Sequence, residues 1–448
     1  MIRSTMRSVF TPIIAVLALW AVVVTAPPSH AATDIEEFTT PGGVTVWLVQ
    51  EPSIPMIAIT VSFRGGTSLD PVGKEGATYL MAGLLEEGAG DMDAAAYLRA
   101  TEELAARFSY RAYRDSVAIT AEMLSENAEQ VVDLLRQALT NPTFDEVAFA
   151  RVKAQVMSSL SSDETDPNEI AGRIFGAVSY PDHAYGTRDE GSIASVTDLT
   201  REDIVAAHSA ALVRDRMYVG VVGDVTPERL GPMIDRLLGG LPEGGPDLPP
   251  DTEMAAGGGV TVEELNVPQS VAIFGHVGID RQSPDYLTAY VLNEVFGGSG
   301  LSSRLNEEVR EKRGLTYGVN AWLSPYAHAT QVVGSVSSGN ETIGEAIEVI
   351  RAEWRRMSEE GITAEELDRI KLYLTGSYPL RFNSNSAIAG NLVGMQVVGL
   401  PIDYIQNRNA LVNAVTLEDA NRVAAYLYQP DKLRFVVVGQ PVGLSATE

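Results

Sequence analysis

The chain has 448 residues, more than one ordinary hydrophobic core accommodates, so two or more domains are expected. Asp and Glu outnumber Lys and Arg by 59 to 33, and the net charge of −26 argues against nucleic acid or an anionic membrane surface as partner. With 45% hydrophobic residues and no cysteine, the fold has to be held by packing and not by disulfides.

Residues 1–32 read as a signal peptide. Arg3 and Arg7 form a basic start, Ile13 to Val24 is an apolar run too short to span a bilayer, and Ser29-His30-Ala31 has the small-x-small form of a cleavage site. Cleavage near Ala31-Ala32 would give an exported, periplasmic protein without stable membrane insertion. Val44–Val49 and Met56–Phe63 are β-rich runs separated by a proline-containing turn, which reads as an antiparallel pair. Apolar periodicity predicts helices over Ala77–Glu87, Asp93–Ala106, Glu126–Thr140 and Asp145–Ser161, and a later one at Arg201–Ala211 that feeds a strand at Met217–Val222.

At residues 241–259 the composition becomes that of a linker, rich in Gly and Pro, and it divides the mature chain nearly in half. Each half ends alike. Thr200-Arg-Glu-Asp203 leads to the strand ending at Gly223, and Thr416-Leu-Glu-Asp419 leads to the strand ending at Gly439, with the same offset at both anchors. Duplication follows, with domains at 33–240 and 260–448. Blocks of strands and blocks of helices, without strict alternation, place each domain in the α+β class: a mainly antiparallel sheet with helices packed on one face.

In the second half, Ser302 or Ser303 is placed to cap a helix with the apolar stripe Leu305 and Val309, whose last turn carries Arg310, Lys312 and Arg313 beside the negative end of its dipole. Gly314 ends that helix, and Leu315 to Trp322 alternate as a strand. Local pattern alone reads Arg313 as neutralising the helix end and Tyr317 as half-buried packing beside Leu315 and Val319. The preceding Gly297-Gly298-Ser299-Gly300 reads locally as a flexible connection that allows the helix to start.

Taken together, Gly65 to Gly76 entering a helix, Ser179-Tyr-Pro-Asp-His-Ala-Tyr-Gly186 and the Arg313/Tyr317 pair make the chain resemble peptidase family M16, the pitrilysin and insulinase-like zinc peptidases. The likeness is to the short bacterial two-domain members and covers essentially the whole mature chain. It implies the LuxS/MPP-like metallohydrolase fold in both halves. In that family the helix after the glycine entry carries His-x-x-Glu-His, two zinc ligands on one helix face with a glutamate that polarises water. Here Tyr79, Ala82 and Gly83 stand at those positions, and Ser159 or a close neighbour at the third ligand. None of these side chains suits zinc or general-base chemistry. The five histidines, at 30, 183, 208, 276 and 328, show no ligand spacing and read as surface or packed residues. No Gly-x-Ser-x-Gly elbow offers a serine nucleophile.

The resemblance also implies that Arg313 and Tyr317 contact substrate and stabilise the oxyanion, with Gly297, Gly298, Ser299 and Gly300 as a substrate-binding turn. Some bacterial M16 peptidases divide the site between two chains, and this sequence has the pattern of the subunit without zinc. The expectation is a subunit with no cofactor of its own, pairing as a heterodimer with an HxxEH-containing homologue that carries zinc and acting on peptides or unfolded polypeptides. The alternative is a non-enzymatic structural or peptide-holding homologue.

Overall fold

The computed structural model describes residues 34–447 with the exception of 256, 299 and 301. The expected signal peptide, 1–32, lies outside them. From Ile35 onward the chain forms one compact unit. Its first half runs β1 (Glu36–Thr39), β2 (Thr45–Gln50), β3 (Met56–Arg64), α1 (Ala77–Leu84), the short pair β4 (Gly88–Ala89) and β5 (Met92–Asp93), α2 (Ala94–Glu103), β6 (Arg107–Tyr113) and β7 (Ser116–Leu124). It continues with α3 (Ala128–Thr140), α4 (Glu146–Asp163), α5 (Pro167–Ser179), α6 (Ile193–Thr197), α7 (Arg201–Ala211), β8 (Met217–Gly223) and α8 (Pro227–Leu238). The second half runs β9 (Gly259–Glu264), β10 (Gln269–Val277), α9 (Tyr286–Phe296), a π-helical turn (Asn306–Glu311), β11 (Val319–Pro325) and β12 (Thr330–Gly339). It ends with α10 (Ile343–Glu360), α11 (Ala364–Ser377), α12 (Asn385–Val397), α13 (Tyr404–Ala414), α14 (Leu417–Leu427) and β13 (Arg434–Gly439). Among the described residues no helix is long and apolar enough to cross a membrane.

The helices have identifiable starts. Asp93, Asp145 and Asp166 each accept a hydrogen bond from a backbone N–H of the first turn they precede, and Thr200 and Thr363 close capping boxes with Asp203 and Glu366. α1 is fixed differently. The Asp70 carboxylate accepts from the Gly76 and Thr78 N–H groups and from the Thr78 hydroxyl, tying down the glycine entry.

The first sheet has the order β1-β2-β8-β3-β7-β6 and the second β11-β12-β10-β13-β9. Read from opposite ends, β2-β8-β3-β7-β6 and β9-β13-β10-β12-β11 agree in order and sense, including one parallel pair each, β2 with β8 and β9 with β13. The architecture is thus α+β with two matching sheets, as the repeat implies. One expectation fails: β2 and β3 are not neighbours. The late strand β8 lies between them, parallel to β2 and antiparallel to β3. Residues 51–55 hold two prolines and bridge the roughly 9–10 Å that one intervening strand requires.

Beyond the helical layer expected on one face of each sheet, the opposite face is covered as well. Along β2, Val46 and Leu48 point into the core shared with α1, α3, α4, α7 and α8, while Trp47 and Val49 point the other way. That other face is sealed by Ala389, Leu392 and Met395 of α12, a helix of the second half. Reciprocally, Ile170, Ala171 and Phe175 of α5 cover Val271, Val333, Val436 and Val438 of the second sheet. The halves therefore exchange covering helices. Gly220 permits the approach: a Cβ there would lie 2.7 Å from the Ala389 carbonyl oxygen.

The exchange is fastened by a polar junction. Tyr185, within the Ser179–Gly186 segment, donates its hydroxyl to Asp115 Oδ1 at 2.6 Å and accepts the His328 N–H at 3.0 Å. The other Asp115 oxygen accepts the Ala327 N–H at 2.9 Å, so the β6–β7 turn of one half grips the β11–β12 turn of the other. Arg114 donates to the carbonyls of Tyr185 and Thr187. The segment 241–259 is tied down as it crosses between the halves. Met254 is buried beside α5, Thr252 N–H reaches the His328 carbonyl and Ala255 N–H the Ser179 carbonyl, both at 2.8 Å.

Candidate functional site

α1 and α4 meet where the resemblance places a metal. Ala82 is buried, Tyr79 and Gly83 are half-buried, and a Cβ at Gly83 would lie 3.6 Å from Val152 Cγ1 of α4. The buried stripe of α4 is Val152, Val156 and Leu160; Ser159 is exposed and off that stripe. Burial, reinforced by Glu190, pushes the Tyr79 phenol above its ordinary range, so it stays neutral at physiological pH. An apolar helix contact thus occupies the place of a ligand set. Among the described residues no group of three or more His, Asp or Glu side chains is arranged to hold a metal ion. The donor chemistry at Tyr79, Ala82, Gly83 and Ser159 does not fit zinc.

The Arg313/Tyr317 segment is held by a run of buried polar side chains. Arg304, only 5% exposed, forms a two-pronged ion pair with Glu366 and donates to the Gly361 carbonyl, fixing the helix entry against the α10–α11 connection. Leu305 and Val309 are the buried stripe. The expected serine cap is not formed: Ser303 is buried and accepts from Asn306 Nδ2 instead. Asn306 also donates to the Val319 carbonyl at 2.9 Å, tying the helix to the first residue of β11.

The turn is π-helical, with Lys312 N–H bonded to the Glu307 carbonyl, and this spacing brings residues five apart into register. Arg313 Nη1 donates to the Glu308 carbonyl at 2.7 Å and to its carboxylate at 2.8 Å. Lys312 bonds the same carboxylate at 2.7 Å. Burial pushes the Glu308 carboxyl up, but the hydrogen bonds from Lys312 and Arg313 outweigh it and hold the group below its ordinary value. Gly314, at φ 67°, then breaks the helix, as expected.

Residues 315–318 are not strand. Thr316 bonds the Gly318 N–H and the Ser337 carbonyl, Ser338 holds the Leu315 carbonyl, and β11 begins only at Val319. With its neighbours pinned on both sides, Tyr317 projects outward and is 88% exposed. It is not half-buried packing. Arg313 does satisfy a helix-end carbonyl, while its guanidinium stays about two-fifths exposed, at 39%.

Gly297 serves packing directly. A Cβ there would lie 2.6 Å from Ala321 Cβ, its carbonyl accepts the Ala321 N–H at 2.8 Å, and Asn293 donates to the Ala321 carbonyl. Gly298 lies against Glu294. Gly300 faces a small cavity of 190 Å³ shared with Glu294, Ser302 and Tyr373. Ser299 lies outside the described residues. Glu308 and Thr316, which orient the Arg/Tyr pair, were not singled out from sequence. The Glu308/Lys312 spacing of four was a visible signal; the spacing of five to Arg313 has meaning only in a π-helical turn.

Two matching mixed sheets, an apolar contact in place of a ligand set and an outward Tyr beside an anchored Arg define a two-domain metallopeptidase-like protein with a degenerate metal position. Residues 45–177 match the family profile described as insulinase (peptidase family M16), and residues 198–374 match the one described as peptidase M16 inactive domain. The chain belongs to peptidase family M16. It is 25% identical over 393 residues to a Helicobacter pylori protein named as a non-peptidase homolog, covering 86% of this chain and 89% of that one. It is 23% identical to a Bacillus subtilis protein named as an uncharacterized zinc protease, covering 89% and 96%. The crystal structure of a peptidase M16 inactive domain from Pseudomonas fluorescens superposes with a TM-score of 0.86 at 26% identity, covering 92% of this chain and all of that one.

Proposed function

We propose that the chain is an exported, non-metal-binding M16 subunit that pairs with a zinc-bearing homologue and supplies Arg313 and Tyr317 to peptide cleavage performed by that partner. The observation that carries this reading is the outward Tyr317 beside an Arg313 fixed by Glu308, in a chain whose own ligand positions are Tyr79, Ala82, Gly83 and Ser159. A phenol donates to a developing oxyanion and a guanidinium clamps a peptide carbonyl. β11 starts two residues after Tyr317 and is an edge of its sheet, so an extended peptide has main-chain groups to pair with beside the pair. The Gly297–Gly300 turn, set between α9 and β11, would border the same peptide.

The Helicobacter relative's name favours a second reading, a non-enzymatic or peptide-holding protein. Mixing the purified chain with an HxxEH-containing homologue of the same organism separates the two. Cleavage of an unfolded peptide that needs both chains supports the subunit role; protection of the peptide without cleavage, with every such homologue tried, supports the holding role.

A further inference from the structure

We propose that the second half holds a separate binding site for a ligand with a carboxylate on an apolar body. Between α9, α12 and α13 lies a cleft of about 790 Å³, within the size range of small-molecule sites. In a chain of net charge −26 its walls carry three arginines, Arg281, Arg381 and Arg408. Neither Arg313, Tyr317 nor the Gly297–Gly300 turn lines it.

Arg408 is the most deeply enclosed of the three. It is 4% exposed, and its Nη1 donates to the Leu374 carbonyl at 2.7 Å and to Asn409 Oδ1 at 3.3 Å. Its guanidinium lies 4.4 Å from the Tyr378 ring centre and 5.9 Å from that of Tyr290. Arg281 sits 4.2 Å from the ring centre of Tyr286. Among the described residues none of the three arginines forms an ion pair with a carboxylate. A buried cation that has no carboxylate in ion-pair contact and only the half-buried Glu294 within electrostatic reach is incompletely compensated, and an anion entering the cleft would complete the pairing.

The chemistry of the walls narrows the class of ligand. A planar guanidinium fork matches a carboxylate, and the stacked tyrosine rings, with Met395 and Leu411, offer an apolar bed for the remainder of the molecule. Glu294, one turn beyond Tyr290 on α9 and within electrostatic reach of Arg381 and Arg408, disfavours a multiply charged anion such as a phosphate ester. A peptide C-terminus and a free amphipathic acid share the required group.

Calorimetric titration of the mature chain tests this with three probes: N-acetyl-leucyl-phenylalanine, its C-terminal amide, and decanoate. The free acids are expected to bind saturably with one site per chain, and the amide about tenfold or more weakly. Tighter binding of the dipeptide than of decanoate identifies a peptide C-terminus as the source, and the reverse order a free acid. Arg281→Gln and Arg381→Gln, both outside the packed core, should each weaken binding about tenfold with an unchanged Tm. Amide and acid binding alike, no binding of either acid at millimolar concentration, or unchanged affinity in both variants would overturn the proposal.

Discussion

Glu308 and Arg313 are joined twice, through the backbone carbonyl at 2.7 Å and the carboxylate at 2.8 Å, and both contacts use the same guanidinium nitrogen. The Arg313 side chain stays 39% exposed, and Tyr317, four residues on, is 88% exposed. An arginine anchored by one nitrogen is oriented before substrate arrives, which lowers the entropy of forming the clamp. Glu308→Ala should therefore raise the KM of the reconstituted peptidase and lower kcat/KM by about tenfold, with Glu308→Gln recovering part of the loss. Steady-state kinetics on the mixed subunits measures this, and unchanged kinetics in Glu308→Ala would remove the positioning role.

The junction between the halves should behave as a stability element. Tyr185→Phe removes the hydroxyl that donates to Asp115 and accepts from His328, leaving both partners short of a bond. A loss of about 2 kcal/mol is expected, with less for Asp115→Asn, which keeps one acceptor oxygen. Denaturant unfolding reads both. Since the exchanged helices α5 and α12 make the halves share their cores, unfolding should remain a single transition in the wild type.

Buried His276 gives the fold a pH dependence of known sign. Its Nε2 accepts the Trp354 indole N–H at 2.8 Å and its Nδ1 contacts the Val277 carbonyl, so the ring is held neutral. Burial pushes its pKa down to about 4, from 6.5. The unfolded chain thus takes up the proton first, and stability present above pH 6.5 is lost as pH falls toward 4, on the order of 3 kcal/mol. Asp70 acts oppositely: burial raises it to about 6, so its contribution grows as pH falls through 6 toward 3.8. The difference between wild type and His276→Gln isolates the histidine, and the variant should show a flatter loss between pH 6.5 and 4. Identical slopes would contradict the assignment.

Part of the first half was legible because several of its helices announce themselves locally. Periodicity and the Asp93, Asp145 and Thr200 caps place α2, α4 and α7 within a few residues of where they stand. The repeat ending at Gly223 and Gly439 marks the two strands that become sheet interiors. What stayed hidden is long-range. Nothing in Val44–Val49 or Met56–Phe63 says that β8 separates them, since alternation reports a strand's faces and not its neighbours. The continuous apolar run Phe435–Val438 does signal burial on both faces, but not that α5 comes from the other half.

At the candidate site the local pattern assigned one residue the wrong environment. Tyr317 falls in phase with Leu315 and Val319, so pattern made it packing. The side-chain bonds of Thr316 and Ser338 break that phase, because they bend the backbone before β11 begins. The cluster of Arg281, Arg381 and Arg408 was invisible for another reason: its members come from three separate segments that only the fold brings together.

A peptidase site divided between two chains is tested most directly by zinc content and peptide cleavage of this chain alone, with an HxxEH-containing homologue, and with that homologue plus Tyr317→Phe. The lone chain should carry no stoichiometric zinc and cleave nothing. The pair should cleave, and Tyr317→Phe should lower kcat by about 100-fold while leaving Tm unchanged, since the side chain is exposed. One zinc per chain with cleavage by the lone protein, or a pair indifferent to Tyr317→Phe, would contradict it.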